Sequence, residues 1–287
     1  MIVPVLEVGG SHLTAAAVEL GAGPARVIRQ RRWHLEPDVR AADFVATMLE
    51  AAVWLDVPAG SDWGIAMPGP FDYAAGIGRY EGVGKFESLN GFDVRATFVA
   101  GLPNPPARVV FLNDADSFGL GECTVGAAQG FRRAICLTLG TGVGSAFVKD
   151  GVPLSEGPGV PRDGEAHFIL WGGAELEETV SRRAIRRVYR ERTGQDLDVH
   201  EIAELARNGS EVAGEVLERA FRALGEALAP YAEDFGAEVI VLGGSIAGSF
   251  DLIEAPLRKG LARDVVLRRA LDPEHAPLIG TAVHASH

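Results

Sequence analysis

Apolar positions along this chain switch between the period of a strand and the period of a helix, and the switches come in an order that repeats. Residues 2–8 (IVPVLEV), 12–19 (HLTAAAVE) and 26–33 are strand-length runs, divided by Gly9-Gly10 and by a glycine-rich turn at 21–24. They predict three strands of a meander. Apolar residues over 41–55 recur at helical spacing, 63–67 is a short apolar run stopped by Pro68-Gly69-Pro70, 92–100 reads as a helix, and 108–112 (RVVFL) reads as a buried strand. Asn113-Asp114 stands where that strand ends, ahead of a helix expected to begin at Ala115.

The pattern then starts again. A strand from Ala134 (AICLTL), a glycine loop over 140–144 and a return strand (SAFVKDG) precede helices expected over 175–192 and 211–235, and 238–242 (EVIVL) is a strand running into Gly243-Gly244-Ser245. This order predicts an α/β protein of two lobes with a central cleft: a smaller one over 1–120 and a larger one over 121–287, with the last helix packing back on the first lobe.

Composition narrows the partners. A net charge of −12 with a pI near 5.1 leaves no broad basic face for a phosphate backbone, so no nucleic-acid partner is expected. The locally basic run RRAIRRVYRER from Arg182 to Arg192 reads as the wet face of an amphipathic helix whose Ala184, Ile185, Val188 and Tyr189 recur at helical spacing. Cys123 and Cys136 form neither a disulfide framework nor a CxxC site, which points to a reducing, cytoplasmic setting. The apolar amino-terminal run lacks a basic leader and is far too short to cross a bilayer, so no membrane partner is expected.

Three strand-to-turn junctions hold glycines: Gly9-Gly10-Ser11, residues 140–144 (GTGVG) and Gly243-Gly244-Ser245. Each could bring bare backbone N–H groups to an anion, through positive φ and the missing Cβ, and each could equally be an ordinary tight turn. None matches GxxxxGK[ST], and the 140–144 loop does not open a helix as a dinucleotide fingerprint does. Asp114, at the carboxyl end of a strand, is suited to accept a proton from an attacking hydroxyl; the alternative is a helix N-cap.

Taken in order, EVGGSHLTAAAVEL, MPGPFD, FLNDADSFGLGE, LTLGTGVGSAFVKDG and VIVLGGSIA resemble the motifs of the ROK family of sugar kinases, within the actin-like ATPase (ribonuclease H-like) superfamily, over nearly the whole chain. The resemblance implies an ATP-dependent carbohydrate kinase, glucokinase-like, that phosphorylates a hydroxyl of a hexose or similar small molecule, the 6-OH by family habit, with Asp114 as general base. It further implies Asn113 and, more loosely, Asn90 as sugar ligands. Gly9, Gly10, Ser11, His12, Gly140, Thr141 and Gly142 would hold phosphates, Gly243 and Gly244 the nucleoside, and Mg²⁺ would bridge the phosphates. Homodimers are implied by the same analogy.

Two departures matter. The family's usual Asp in the first phosphate motif is Glu7 here, which would carry the carboxylate toward Mg²⁺ on a longer arm. Where zinc-bearing members have Glu-x-x-His and three cysteines, this chain has Asp163-Gly164-Glu165-Ala166-His167 and then FILWGGAELEETVS, so no zinc is expected. Glu165, His167 and Glu177 then stand either as sugar ligands or as structural polar residues. Amino-sugar or cyclitol kinases, polyphosphate glucokinases and a non-catalytic sugar sensor are the alternatives, the sensor without a DNA-binding segment because the chain begins directly at its first strand.

Overall fold

A computed structural model describes residues 1–36 and 38–287. The chain divides into two compact units, residues Met1–Val125 with Glu274–His287, and Gly126–Pro273.

In the first unit, β1 (Ile2–Val8), β2 (His12–Glu19) and β3 (Arg26–His34) form the meander; α1 (Ala41–Leu55), β4 (Asp62–Met67), the short pair β5 (Phe71–Asp72) and β6 (Ile77–Gly78), α2 (Val94–Gly101), β7 (Arg108–Asn113) and α3 (Asp114–Thr124) follow. The sheet order is β3-β2-β1-β4-β7, antiparallel through the meander and parallel from β1 outward. β1 is a near-continuous apolar run because both faces of the sheet are covered. On one face Leu6, Val8 and Leu13 pack with Phe44, Met48 and Leu55 of α1. Each such side chain contributes about 1.5–3 kcal/mol when fully buried.

The second unit repeats this plan with β8 (Arg133–Leu139), β9 (Val143–Lys149) and β10 (Val152–Leu154) as its meander. There follow a small hairpin, β11 (Leu170–Trp171) and β12 (Ala174–Glu175), then α4 (Glu177–Val180), α5 (Arg182–Thr193), α6 (Val199–Arg207), α7 (Glu211–Phe235), β13 (Val239–Gly243), α8 (Phe250–Leu261) and β14 (Val266–Arg269). The order β10-β9-β8-β13-β14 again sets three antiparallel strands beside two parallel ones. Ile135, Leu137, Ile240 and Leu242 of the sheet meet Leu217, Phe221, Leu224 and Leu228 of α7 in one core.

The last helix, α9 (Ala276–Ala285), belongs to the first unit. Its Leu278, Ile279 and Ala282 cover the second face of that sheet, over Val3, Val5, Ala16 and Val18. Where α9 crosses α3 the backbones touch: a Cβ on Gly280 would stand 1.8 Å from the Ser117 carbonyl oxygen, and one on Gly121 would stand 1.9 Å from that of Ala276. This contact fixes the axis of α3, and with it the residue at its amino end, Asp114.

Three local expectations need correction. The helix predicted over 175–192 is two helices, because Ser181 leaves helical geometry (φ −69°, ψ 160°) and caps α5 by accepting the Ala184 N–H. Ser is a strong N-cap, and helical periodicity on both sides hid the break. α3 begins at Asp114 rather than Ala115, with Asn113 as its cap. Positive φ does not explain the three glycine turns, since among Gly9, Gly10, Gly140, Gly142, Gly243 and Gly244 only Gly244 has it.

Candidate active site

In the first unit the candidate residues gather around Asn113 and Asp114. Asn113 Oδ1 accepts the N–H groups of Ala115 (2.8 Å) and Asp116 (3.2 Å), and its Nδ2 donates to the Tyr73 hydroxyl at 2.9 Å. Tyr73 in turn donates to the Met67 carbonyl, and buried Tyr80 to that of Pro68. Burial pushes both phenols well above their ordinary range, so they stay neutral donors. With the cap filled by Asn113, Asp114 is released from that task. Its Oδ1 accepts the Ala115 N–H at 2.9 Å, while Oδ2 has no hydrogen-bond partner among the described residues.

Burial pushes the Asp114 carboxyl up; Lys85 pulls it down, and the like charge of Glu7 adds to the rise. A carboxylate with raised proton affinity, anchored by one oxygen and open at the other, is the chemistry of a general base. Lys85 was missed in the sequence, although it is one of only three lysines. It sits in a loop whose shape comes from Glu87, which accepts the N–H groups of Gly82 and Gly84.

Around the β1–β2 turn, Gly9 donates to the His12 carbonyl at 2.8 Å, and the His12 ring folds over it: a Cβ on Gly9 would meet that ring at 2.5 Å. His12 Nε2 lies 3.6 Å from Glu7 Oε2. Gly10 and Ser11 are exposed, and their N–H groups donate to nothing among the described residues. Asn90 is exposed at the end of a short turn, with its N–H given to Glu87, and no side-chain hydrogen bond ties it to Asn113 or Asp114.

In the second unit the loop between β8 and β9 is held from outside. The Gly140 carbonyl accepts the Arg182 N–H at 2.8 Å, and Glu177 Oε2 accepts the Val143 N–H at 3.0 Å. A Cβ on Gly142 would stand 2.6 Å from that same Glu177 oxygen, so the carboxylate fills the space a side chain would take. The N–H groups of Thr141 and Gly142 donate to nothing among the described residues, which leaves two adjacent donors for an anion. Gly244, at φ 81°, passes so near β8 that a Cβ would stand 2.3 Å from the Leu139 carbonyl oxygen. Gly243 closes β13 beside it.

Glu165 and His167 are paired, with Oε2 3.5 Å from Nε2. Their loop is pinned by Ser145, a buried residue of β9 that sequence reasoning passed over: its hydroxyl donates to the Gly164 carbonyl and accepts the Ala166 N–H, both at 2.7 Å. No cluster of three or more His, Cys, Asp and Glu is placed to hold a metal among the described residues.

The ROK family pattern matches residues 64–166 and 173–285. The chain belongs to the ROK family. A glucokinase of Thermotoga maritima is 29% identical over 220 residues, covering 68% of this chain and 67% of that one. A glucokinase of Streptomyces coelicolor is 30% identical over 184 residues, covering 55% and 58%. Among solved structures, a ROK hexokinase from Thermus thermophilus matches all of this chain and 98% of its own, at 27% identity and a TM-score of 0.81. This ROK protein is a carbohydrate kinase with the actin-like α/β fold of its relatives. No helix among its described residues is long and apolar enough to cross a membrane.

Proposed function

We propose that this ROK protein moves the γ-phosphoryl group of ATP onto a hydroxyl of a hexose or hexose-like substrate, the 6-OH in a hexose, with Asp114 as the general base. One observation carries the reading: Asn113 caps α3, so Asp114 keeps an open carboxylate oxygen and a raised affinity for a proton.

The substrate hydroxyl donates to Asp114 Oδ2. As its oxygen bonds to phosphorus, the proton passes to the carboxylate and the γ–β bridging oxygen leaves with the electron pair. Asn113 has a second Nδ2 hydrogen to offer a sugar oxygen, and Glu165, His167, the Oε1 of Glu177 and Asn90 are the further sugar partners. Backbone N–H groups of Gly10, Ser11, Thr141 and Gly142 receive phosphate oxygens, with Gly9 and His12 shaping one turn and Gly140 the other; Gly243 and Gly244 border the nucleoside.

Mg²⁺ in kinases is commonly held by one or two carboxylates plus phosphate oxygens rather than by an all-protein cage, and here it would be held in that way. Glu7, a largely buried carboxylate beside the first glycine turn, is the residue that would hold it. When bound, the ion neutralises charge on the β- and γ-phosphates.

The names of the relatives make glucose the first acceptor to test. A coupled ATP-turnover assay across hexoses, amino sugars and cyclitols is expected to find at least one that stimulates turnover. Measurable sugar binding with no stimulation by any of them would instead indicate a sensor.

A further inference from the structure

Residues 79–90, between β6 and α2, form a loop whose two ends are stapled together. The Gly91 N–H donates to the Gly78 carbonyl at 2.9 Å, and a Cβ on Gly78 would stand 2.1 Å from the Leu89 carbonyl oxygen. Near the start of the loop, the Arg79 N–H donates to the Pro70 carbonyl and the Tyr80 hydroxyl to that of Pro68, at 2.6 Å. Pro68 follows Met67, which pairs with Asn113 in the parallel ladder of β4 and β7. The loop is therefore seated at the carboxyl ends of those two strands, where Asp114 opens α3.

An aromatic layer carries it. Tyr80 packs edge-on against Phe86 with ring centroids 5.7 Å apart, Phe86 against Phe44 of α1 at 5.8 Å, and Tyr80 and Tyr73 both against Phe71. Phe86 is fully buried although its backbone is left-handed, at φ 54°, a conformation that a bulky residue keeps only where packing imposes it. Glu87 ties the loop from the other side by accepting the Gly82 and Gly84 N–H groups, and the Ser88 hydroxyl donates to the Val39 carbonyl at 2.6 Å. Anchors thus stand before and after Lys85.

Lys85 itself is half-buried, and its ammonium has no hydrogen-bond or ion-pair partner among the described residues. The other two lysines are surface groups, Lys149 exposed at the end of β9 and Lys259 paired with Glu218. A compact cation that is partly desolvated and left unpaired suits an anion that arrives with the substrates. Its charge reaches Asp114, where it is the largest influence opposing burial, yet the two make no ion pair, so the ammonium stands off from the base. The like charge of Glu7 reaches Asp114 as well, and an incoming phosphoryl group adds more negative charge that backbone donors, being neutral, only partly offset.

We propose that Lys85 is a catalytic residue of the phosphoryl transfer, its ammonium donating to an equatorial oxygen of the phosphoryl group as that group reaches the acceptor held by Asp114. This rests on the kinase reading above and adds to it a side-chain cation from the first unit. The acceptor oxygen bonds to phosphorus, the γ–β P–O bond breaks with its electron pair on the bridging oxygen, and the hydroxyl proton goes to Asp114. Lys85 keeps its own proton throughout. A point charge on a flexible four-carbon stem can follow an oxygen that moves during the transfer.

The test measures kcat against pH with ATP and Mg²⁺, for wild type, Lys85→Met and Lys85→Arg, using glucose or whichever sugar of the panel above turns over fastest. Sugar affinity is read by calorimetry and folding by circular dichroism. In Lys85→Met the pH-independent kcat above the acid limb is expected to fall about 10²-fold or more, as on loss of one charge-stabilising donor, with sugar affinity kept. Lys85→Arg should retain part of the rate, and added methylamine should restore part of it to Lys85→Ala. A lysine that only tunes Asp114 would shift the limb and leave the plateau unchanged, and that result overturns the inference. So does a rise in sugar KM with kcat kept, which would make Lys85 a sugar ligand. Either result leaves the kinase reading intact, whereas a wild type that phosphorylates no acceptor overturns both.

Discussion

The two units share one strand order, yet they prepare their glycine turns for chemistry in different ways. In the first, the β1–β2 turn is closed from within: His12, two residues past Gly10, lays its ring over Gly9. In the second, the β8–β9 loop is shaped by groups far along the chain, Glu177 on Val143 and Arg182 on Gly140. The first unit also has a carboxyl whose proton affinity burial has raised, Asp114. The second offers mainly backbone donors. On the function proposed above, the repeated topology would carry two emphases, with the proton acceptor only in the first copy and backbone anion donors in both, and variants in the two should fail differently.

Among variants of the groups that shape the second unit's loops, the largest effect is expected at Glu177. Glu177→Ala removes the acceptor for the Val143 N–H and opens the space beside Gly142, so the loop loses its shape. KM for the donor should rise on the order of tenfold to a hundredfold, as for loss of a charged hydrogen bond of about 1.5–3 kcal/mol. The pH profile should keep its position, and steady-state kinetics across pH checks both points. A shift of the acid limb would break the division between the units.

Ser145→Ala comes next. It leaves the Gly164 carbonyl and the Ala166 N–H without their shared hydroxyl, at a cost of about 1–3 kcal/mol. Sugar KM should rise with Glu165 and His167 no longer held, while donor KM changes less; Ser145→Thr should recover part of the loss. Equal effects on both constants would mean that the serine serves stability alone.

The smallest and most diagnostic effects are shifts of the pH profile set by charge near Asp114. A base must be unprotonated, so kcat/KM should fall as pH drops through the raised Asp114 pKa, above the range of an ordinary carboxylate. Lys85→Met removes the opposing cation and should move this limb to higher pH. Glu7→Gln removes a like charge and should move it lower, read at saturating Mg²⁺ because the same carboxylate is the proposed Mg²⁺ ligand. Shifts in one common direction would contradict the assignment.

Much of this was legible in residue order. α1 and α7 were plain because long apolar stripes at helical spacing leave few alternatives, and β1 and β2 because Gly9-Gly10 divides two strand-length apolar runs. The Asn113-Asp114 junction was visible, but the split of labour between cap and open carboxylate depends on Tyr73, some forty residues earlier, and on the α3–α9 crossing. Sequence could not reveal that Gly142 is required by the Glu177 carboxylate rather than by its own φ. Nor could it reveal that the arginines of α5 share a cavity with Thr141, because periodicity reports which face is polar and not what lies opposite.

The central claim is that Asp114 is the group that takes the proton. Turnover of Asp114→Asn, measured beside its sugar affinity by calorimetry, tests it most directly: kcat should fall by about 10²-fold or more with binding of the acceptor kept. Wild-type-like turnover in a folded, sugar-binding variant would contradict it.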